Sequence, residues 1–240
     1  MDFEYFLKSK LKLFIFLFFG FLLSFSLPPY NYFVLGFIIF PSILYLLKTN
    51  ELDKPKDFFI YGLLFAYGYF ISSLYWISYS LDFDPEVFIL KPLAIFFLPL
   101  ILSLFYGLCF YILRRFFKFN YFFVLNFSIL VSLTEYLRSY FTGFSWNLFV
   151  YSLSTDLHSL QILNIIGTFS LNFLVIFIFS FPYLFVKKNN IKILKRLFVL
   201  LVIISMNYLY GFNRLQSDLK TVDQEIVVVQ PNEDLIKIST

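Results

Sequence analysis

Cysteine occurs once in this chain, as Cys109, and histidine once, as His158. One cysteine excludes a disulfide framework and a cysteine metal site. Alanine is almost missing too, with Ala66 and Ala94 set against 38 phenylalanines, and charged residues make up only 14% of the 240 positions. A solvated surface needs charge on every segment, whereas here the charges fall in short clusters between apolar runs. No G-x-S-x-G elbow, Walker loop, H-E-x-x-H pair or metal-ligand cluster is present. The net charge of +4 is small and dispersed, which leaves no basic footprint for nucleic acid.

What the chain does have is grease. Hydrophobic residues are 60% of it and aromatics 24%, against roughly 45–50% apolar in soluble domains, and the mean hydropathy is +0.80. A bilayer span needs about 20 mostly apolar residues. Seven stretches qualify: 11–27, 30–47, 58–81, 88–113, 121–141, 160–186 and 193–212. The expected fold is therefore an all-α polytopic membrane protein with seven transmembrane helices. The apolar run after Lys8, Lys10 and Lys12 is expected to stay as an uncleaved first helix, because further spans follow and the small-residue site after it is poor. Pro28 and Pro29 cannot continue a helix, so the short connection from Leu27 to Tyr30 predicts a hairpin of the first two helices. Pro92 and Pro99 interrupt the fourth.

With the N-terminus in the cytoplasm, 14 of the 19 Lys and Arg fall on inner segments, at Lys8 to Lys12, Lys48 to Lys56, Arg114 to Lys118 and Lys187 to Arg196. That bias orients the bundle and, with an odd number of spans, places everything after Phe212 outside. From Asn213 the composition turns polar, and Glu225–Gln230 is a β-branched run closed by Pro231 and Asn232, which predicts a β-strand. A lone strand has no partner for its backbone. The domain reading is thus 1–212 as the transmembrane domain and 213–240 as an outer linker plus the first strand of a further, incomplete domain.

Small residues Gly62, Ala66 and Ser73, with Gly68 and Ser72 as a second set, predict close helix packing. Tyr75, Trp76 and Tyr79 suit an interfacial aromatic belt. On the fifth helix Ser128, Ser132, Glu135 and Ser139 form one polar stripe, and Arg138 lies three residues past Glu135, within reach for pairing. An ionisable group at mid-helix costs about 2.5–3.5 kcal/mol to insert, so Glu135 is expected to face protein or water. Both a structural ion pair and a direct role in a polar substrate cavity fit that placement. Trp146, past the turn-permitting Gly143, suits the same interface. His158 beside Asp156 has no nucleophile at an identifiable spacing, and Cys109 in an apolar run makes a poor nucleophile.

Five segments, Ser26–Asn31 (SLPPYN), Gly68–Ser78 (GYFISSLYWIS), Thr134–Trp146 (TEYLRSYFTGFSW), Tyr151–Ser152 and Ile226–Asn232 (IVVVQPN), together resemble the apolipoprotein N-acyltransferase family. The resemblance implies a bacterial inner-membrane protein whose C-terminal side faces the periplasm and leads into a nitrilase-like (carbon-nitrogen hydrolase) domain. It also implies ping-pong acyl transfer without a cofactor. A cysteine thiolate takes an acyl chain from a membrane phospholipid as a thioester, and the amino group of a diacylated apolipoprotein, on its diacylglyceryl-cysteine, receives it. The family's catalytic Glu-Lys-Cys set belongs to the nitrilase-like domain and maps to no residue here, so the chain alone is expected to be inactive, as a truncated product or as half of a split enzyme with a separate nitrilase-like subunit. Glu135, Arg138, Tyr75, Trp76 and Trp146 are the candidates for a substrate or lipid cavity. The rival readings are a small polytopic transporter, with the Ser128 to Ser139 stripe lining a solute path, and a non-catalytic membrane scaffold.

Overall fold

Helix is the conformation a greasy segment adopts in lipid, because it satisfies every backbone polar group within the segment. The computed structural model describes residues 3–82, 86–120, 122–186, 190–216 and 227. Among them helices occupy all the apolar stretches: α1 Phe3–Ser24, α2 Val34–Thr49, α3 Pro55–Leu74, α4 Leu98–Phe116, α5 Phe123–Thr142, a one-turn α6 Leu157–Leu160, α7 Leu163–Ser180 and α8 Asn190–Leu215. No strand occurs among the described residues, and the β-branched run Glu225–Gln230 lies outside them except for Val227. Four helical stretches, Pro55–Asp82, Phe88–Phe116, Leu163–Phe185 and Leu197–Leu215, are long and apolar enough to cross a membrane, while Val34–Thr49 is a shorter apolar helix.

Local sequence sets the ends. Pro55 opens α3 and the Asp57 carboxylate accepts the Lys54 amide at 2.9 Å, satisfying one of the orphan donors of a helix start. Beyond Leu74 the chain tightens into a 3₁₀ run, Tyr75–Asp82. A widened π turn at Leu93–Phe97 precedes Pro99, whose missing N–H would break a regular ladder. Gly143 ends α5 at φ 66°, and Gly167 breaks the first turn of α7 at φ 75°. Both are left-handed conformations that glycine adopts without steric cost.

α3 is central, flanked by α1 and α4. Where α1 crosses α3 the backbones nearly touch: a Cβ on Gly20 would lie 1.7 Å from the Phe65 carbonyl oxygen, and one on Gly68 would lie 2.0 Å from that of Leu17. Gly62 plays the same part against Tyr106 and Phe110 of α4, so the small-residue pattern packs helices, as glycine does in lipid. The α1–α2 hairpin needs correcting in length alone: α1 stops at Ser24 and the connection runs through residue 33, while α1 and α2 stay in contact. Ser24 and Ser26 hydroxyls turn back onto the Phe21 and Leu23 carbonyls, at 2.7 and 2.6 Å, while Gly36 of α2 opens a seat for the Phe179 ring of α7. At the opposite end of the bundle Asp53 accepts from Lys12 (3.1 Å) and Tyr61 (2.5 Å), and its carbonyl accepts from Arg114 (3.0 Å). This cluster ties α1, α3 and α4 together.

Candidate functional site

The ends of α1, α3 and α5 and the segments that follow them converge on one face of the bundle. There they enclose a cavity of about 560 Å³, within the usual range for small-molecule sites. Its walls come from the α1–α2 connection (Leu27 to Tyr30), the end of α3 (Ser72, Ser73, Tyr75, Trp76) and the chain after α5 (Ser145 to Asn147, Tyr151, Ser154). None of these residues is charged. The surface offered is aromatic rings, serine hydroxyls, an amide and prolines, which suits an amphipathic ligand rather than an ion.

Three of the five candidates meet here. Tyr75, Trp76 and Trp146 all line the cavity, and the two indoles pack edge-on with centroids 5.5 Å apart. The Trp76 indole N–H donates to the Ser73 carbonyl at 3.0 Å, which fixes that ring on its own helix. Tyr151 donates to the Ser145 carbonyl at 3.2 Å. Burial pushes its phenol above the ordinary value, with the Glu135 carboxylate acting in the same direction and the Arg138 guanidinium against it, so it stays a donor.

Glu135 and Arg138 stand behind the wall. Both are fully buried, with 3.8 Å between guanidinium and carboxylate. Arg138 clamps the loop after α5, donating from one terminal nitrogen to the Phe144 carbonyl and from the other to that of Trp146, each at 2.9 Å. It also lies over the Phe70 ring at 5.2 Å, a cation–π contact that strengthens when desolvated. Glu135 accepts from the Tyr106 hydroxyl and, at 3.3 Å, from the Asn172 amide, whose oxygen in turn accepts the Val150 N–H at 2.9 Å. The pair thus spends its hydrogen bonds on holding the loops that carry Trp146 and Phe149. A second latch comes from Asn147, held at φ 59°. Its carbonyl accepts from Tyr69 at 3.0 Å and its side chain donates to Ser73 at 2.6 Å.

Tyr106, Tyr69 and Asn172 are partners that the sequence reading did not single out. Asn172 had a visible signal, as an amide in an otherwise apolar helix. The Ser128 to Ser139 stripe is buried: Ser128 bonds to Val124 of its own helix and Ser132 to the Phe169 carbonyl of α7, and none of the stripe lines the cavity. His158 stacks on Tyr208 and Phe212 of α8, with centroids 4.9 and 6.0 Å away. Cys109 is 2% exposed, and among the described residues no group of His, Cys, Asp and Glu could hold a metal.

Fold and site together define a helical membrane protein with an uncharged, aromatic cavity built on a buried ion-pair network. The family model for the apolipoprotein N-acyltransferase N-terminal domain matches residues 19–181, and the chain belongs to that family. Similar relatives include the apolipoprotein N-acyltransferases of Rhodopseudomonas palustris, 33% identical over 168 residues (68% of this chain, 31% of the relative), of Rhizobium etli, 31% over 192 residues (76% and 36%), and of Rickettsia typhi, 31% over 206 residues (84% and 41%). The chain spans about a third of the length of the first two.

Proposed function

We propose that this chain is the membrane part of an apolipoprotein N-acyltransferase, and that its cavity receives the lipid-borne reactants of phospholipid-dependent N-acylation. The observation that carries the reading is the cavity itself: amphipathic walls without charge, at the end of the bundle where α1, α3 and α5 finish, with Tyr75, Trp76 and Trp146 brought together from two distant motifs. Acyl transfer needs a thiolate to attack the phospholipid ester, forming a thioester and releasing a lysophospholipid. The amino group of the diacylglyceryl-cysteine then attacks that thioester, forming the amide and freeing the thiolate. Cys109 is sealed in the core, so the nucleophile comes from a nitrilase-like portion, continuous with this chain or a separate subunit.

Membranes holding this chain alone are expected to transfer no acyl group from phospholipid to a diacylated apolipoprotein. Adding the nitrilase-like portion of a relative is expected to restore transfer, and Ser72→Phe, which fills the cavity from α3, then lowers it roughly tenfold, on the order of 1.4 kcal/mol of activation free energy. Transfer by the chain alone, or a Ser72→Phe variant as active as the parent, refutes the reading. Solute flux through vesicles reconstituted with the chain would favour the transporter instead.

The same reading has seven spans, with α1, α2 and α5 completing the set, the N-terminus in the cytoplasm, and the residues after α8 starting a periplasmic β-containing domain. The basic residues on one side support it. A protease added to intact spheroplasts is expected to clip the segment after Gln216, and cleavage confined to inverted vesicles overturns this topology.

A further inference from the structure

A second cleft, of about 480 Å³, opens between α7 and α8 and reaches α2. Its body is apolar, with Phe37, Leu174, Val175, Ile203 and Met206 among its walls, and among the described residues no charged one lines it. α8 is held mainly at the α6 end: Gly211 lets its backbone approach His158, where a Cβ would lie 1.9 Å from the carbonyl oxygen. Asn207 donates to the Ser159 carbonyl at 3.1 Å and Tyr210 to Asn164 at 3.0 Å. Most of the remaining described side chains of α8 are exposed hydrophobics, so in a membrane the cleft opens onto lipid.

The polar end has an order. Asn207, Tyr210 and Arg214 follow one another at three- and four-residue steps along one face of α8, rising about 10 Å from the apolar body towards the helix end. The Asn207 side-chain oxygen is buried without a hydrogen-bond partner, and a buried acceptor left alone carries a real cost. It calls for a donor. The ester oxygens of a diacyl phospholipid only accept, whereas a lysophospholipid has a free glycerol hydroxyl between its single chain and its phosphate. Arg214, exposed one turn beyond Tyr210 and donating to the Gln161 carbonyl at 2.9 Å, carries a guanidinium at the height of that phosphate, past the residues that line the cleft.

The cleft is also next to the cavity. Tyr30 and Ser154 line one and Phe33 and Leu153 the other, so two short segments form the partition, joined by the Ser154 hydroxyl donating to Asn31 at 3.2 Å. We propose that the α7–α8 cleft is an exit site for the lysophospholipid by-product, its acyl chain between the helices, its hydroxyl on Asn207 and its phosphate at Arg214. The by-product is supplied by the acyl transfer proposed above, and the site rests on that reading for its biological occupant.

The test reads binding and needs no turnover. The whole chain in vesicles is irradiated with a lysophospholipid carrying a diazirine in its acyl chain, or with the diacyl counterpart, and the labelled residues are mapped by mass spectrometry. The lysophospholipid is expected to mark Val175, Ile203 and Met206 about threefold more than the diacyl lipid, the ratio that a membrane hydrogen bond of about 0.6 kcal/mol gives. Asn207→Leu should abolish that ratio while leaving helical circular dichroism unchanged, and Ile203→Trp should remove the label from the cleft. Equal marking by both lipids, label confined to the exposed α4 residues Leu104 and Leu108, or cross-links from the cleft to another protein helix would each overturn the assignment. If acyl transfer fails in the activity assay while this preference holds, the cleft stands and the reaction reading falls.

Discussion

Arg138→Met should lower the stability of the chain by about 3–5 kcal/mol, the usual loss when one partner of a buried ion pair is removed. The substitution keeps an unbranched stem but is shorter, strips the charge facing Glu135, and takes the donors from the Phe144 and Trp146 carbonyls. Neither loss can be repaired by water, because the pair is fully buried. Pairing it with Glu135→Gln should recover only the part of the loss due to the stranded charge, since the amide keeps an acceptor for Tyr106 but the Phe144 and Trp146 carbonyls stay without their donors. Denaturant titration of the chain in mixed micelles measures both. A loss near 1 kcal/mol, as for an exposed pair, would mean that water reaches Glu135 and that the network does not hold the cavity wall.

Gly20→Ala is the second large effect. Its new methyl group would sit 1.7 Å from the Phe65 carbonyl oxygen. That atom is backbone and cannot rotate aside, so α1 must move off α3. Overpacking typically costs about 1–3 kcal/mol, and here the upper part of that range is expected, because in lipid close contact and dispersion hold the helix pair together. Gly68→Ala strikes the same seam from the other side, 2.0 Å from Leu17. The double variant should therefore lose less than the sum of the two single losses, since one displacement relieves both collisions. Strict additivity in the same unfolding titration would show that the two clashes are relieved independently.

Much of this arrangement was readable from residue order. The apolar stretches announced the helices because a bilayer demands length and grease together, and Gly143 announced a turn that its φ of 66° realises. Tyr75, Trp76 and Trp146 stood out as interfacial aromatics in motifs about 70 residues apart. That they share one cavity is a matter of how α3 and α5 pack, which no local pattern encodes. The α1–α2 connection is longer than its two prolines indicate, because they mark where a helix cannot continue, not where it has already stopped: α1 ends at Ser24, where serine hydroxyls bond back to the Phe21 and Leu23 carbonyls. Tyr106 and Tyr69 were hidden by abundance, among 18 tyrosines and 38 phenylalanines. Asn172 was overlooked for the opposite reason, since a lone amide in an apolar helix is conspicuous only once its need for a partner is considered.

Trp76 and Trp146 are the chain's entire tryptophan complement, and they face each other across one cavity rim. Tryptophan emission, excited selectively over the 18 tyrosines, therefore reports on that single place. Anything that parts the two rings or dries the space between them will shift the spectrum, so occupancy of the cavity can be followed by fluorescence on the unmodified polypeptide.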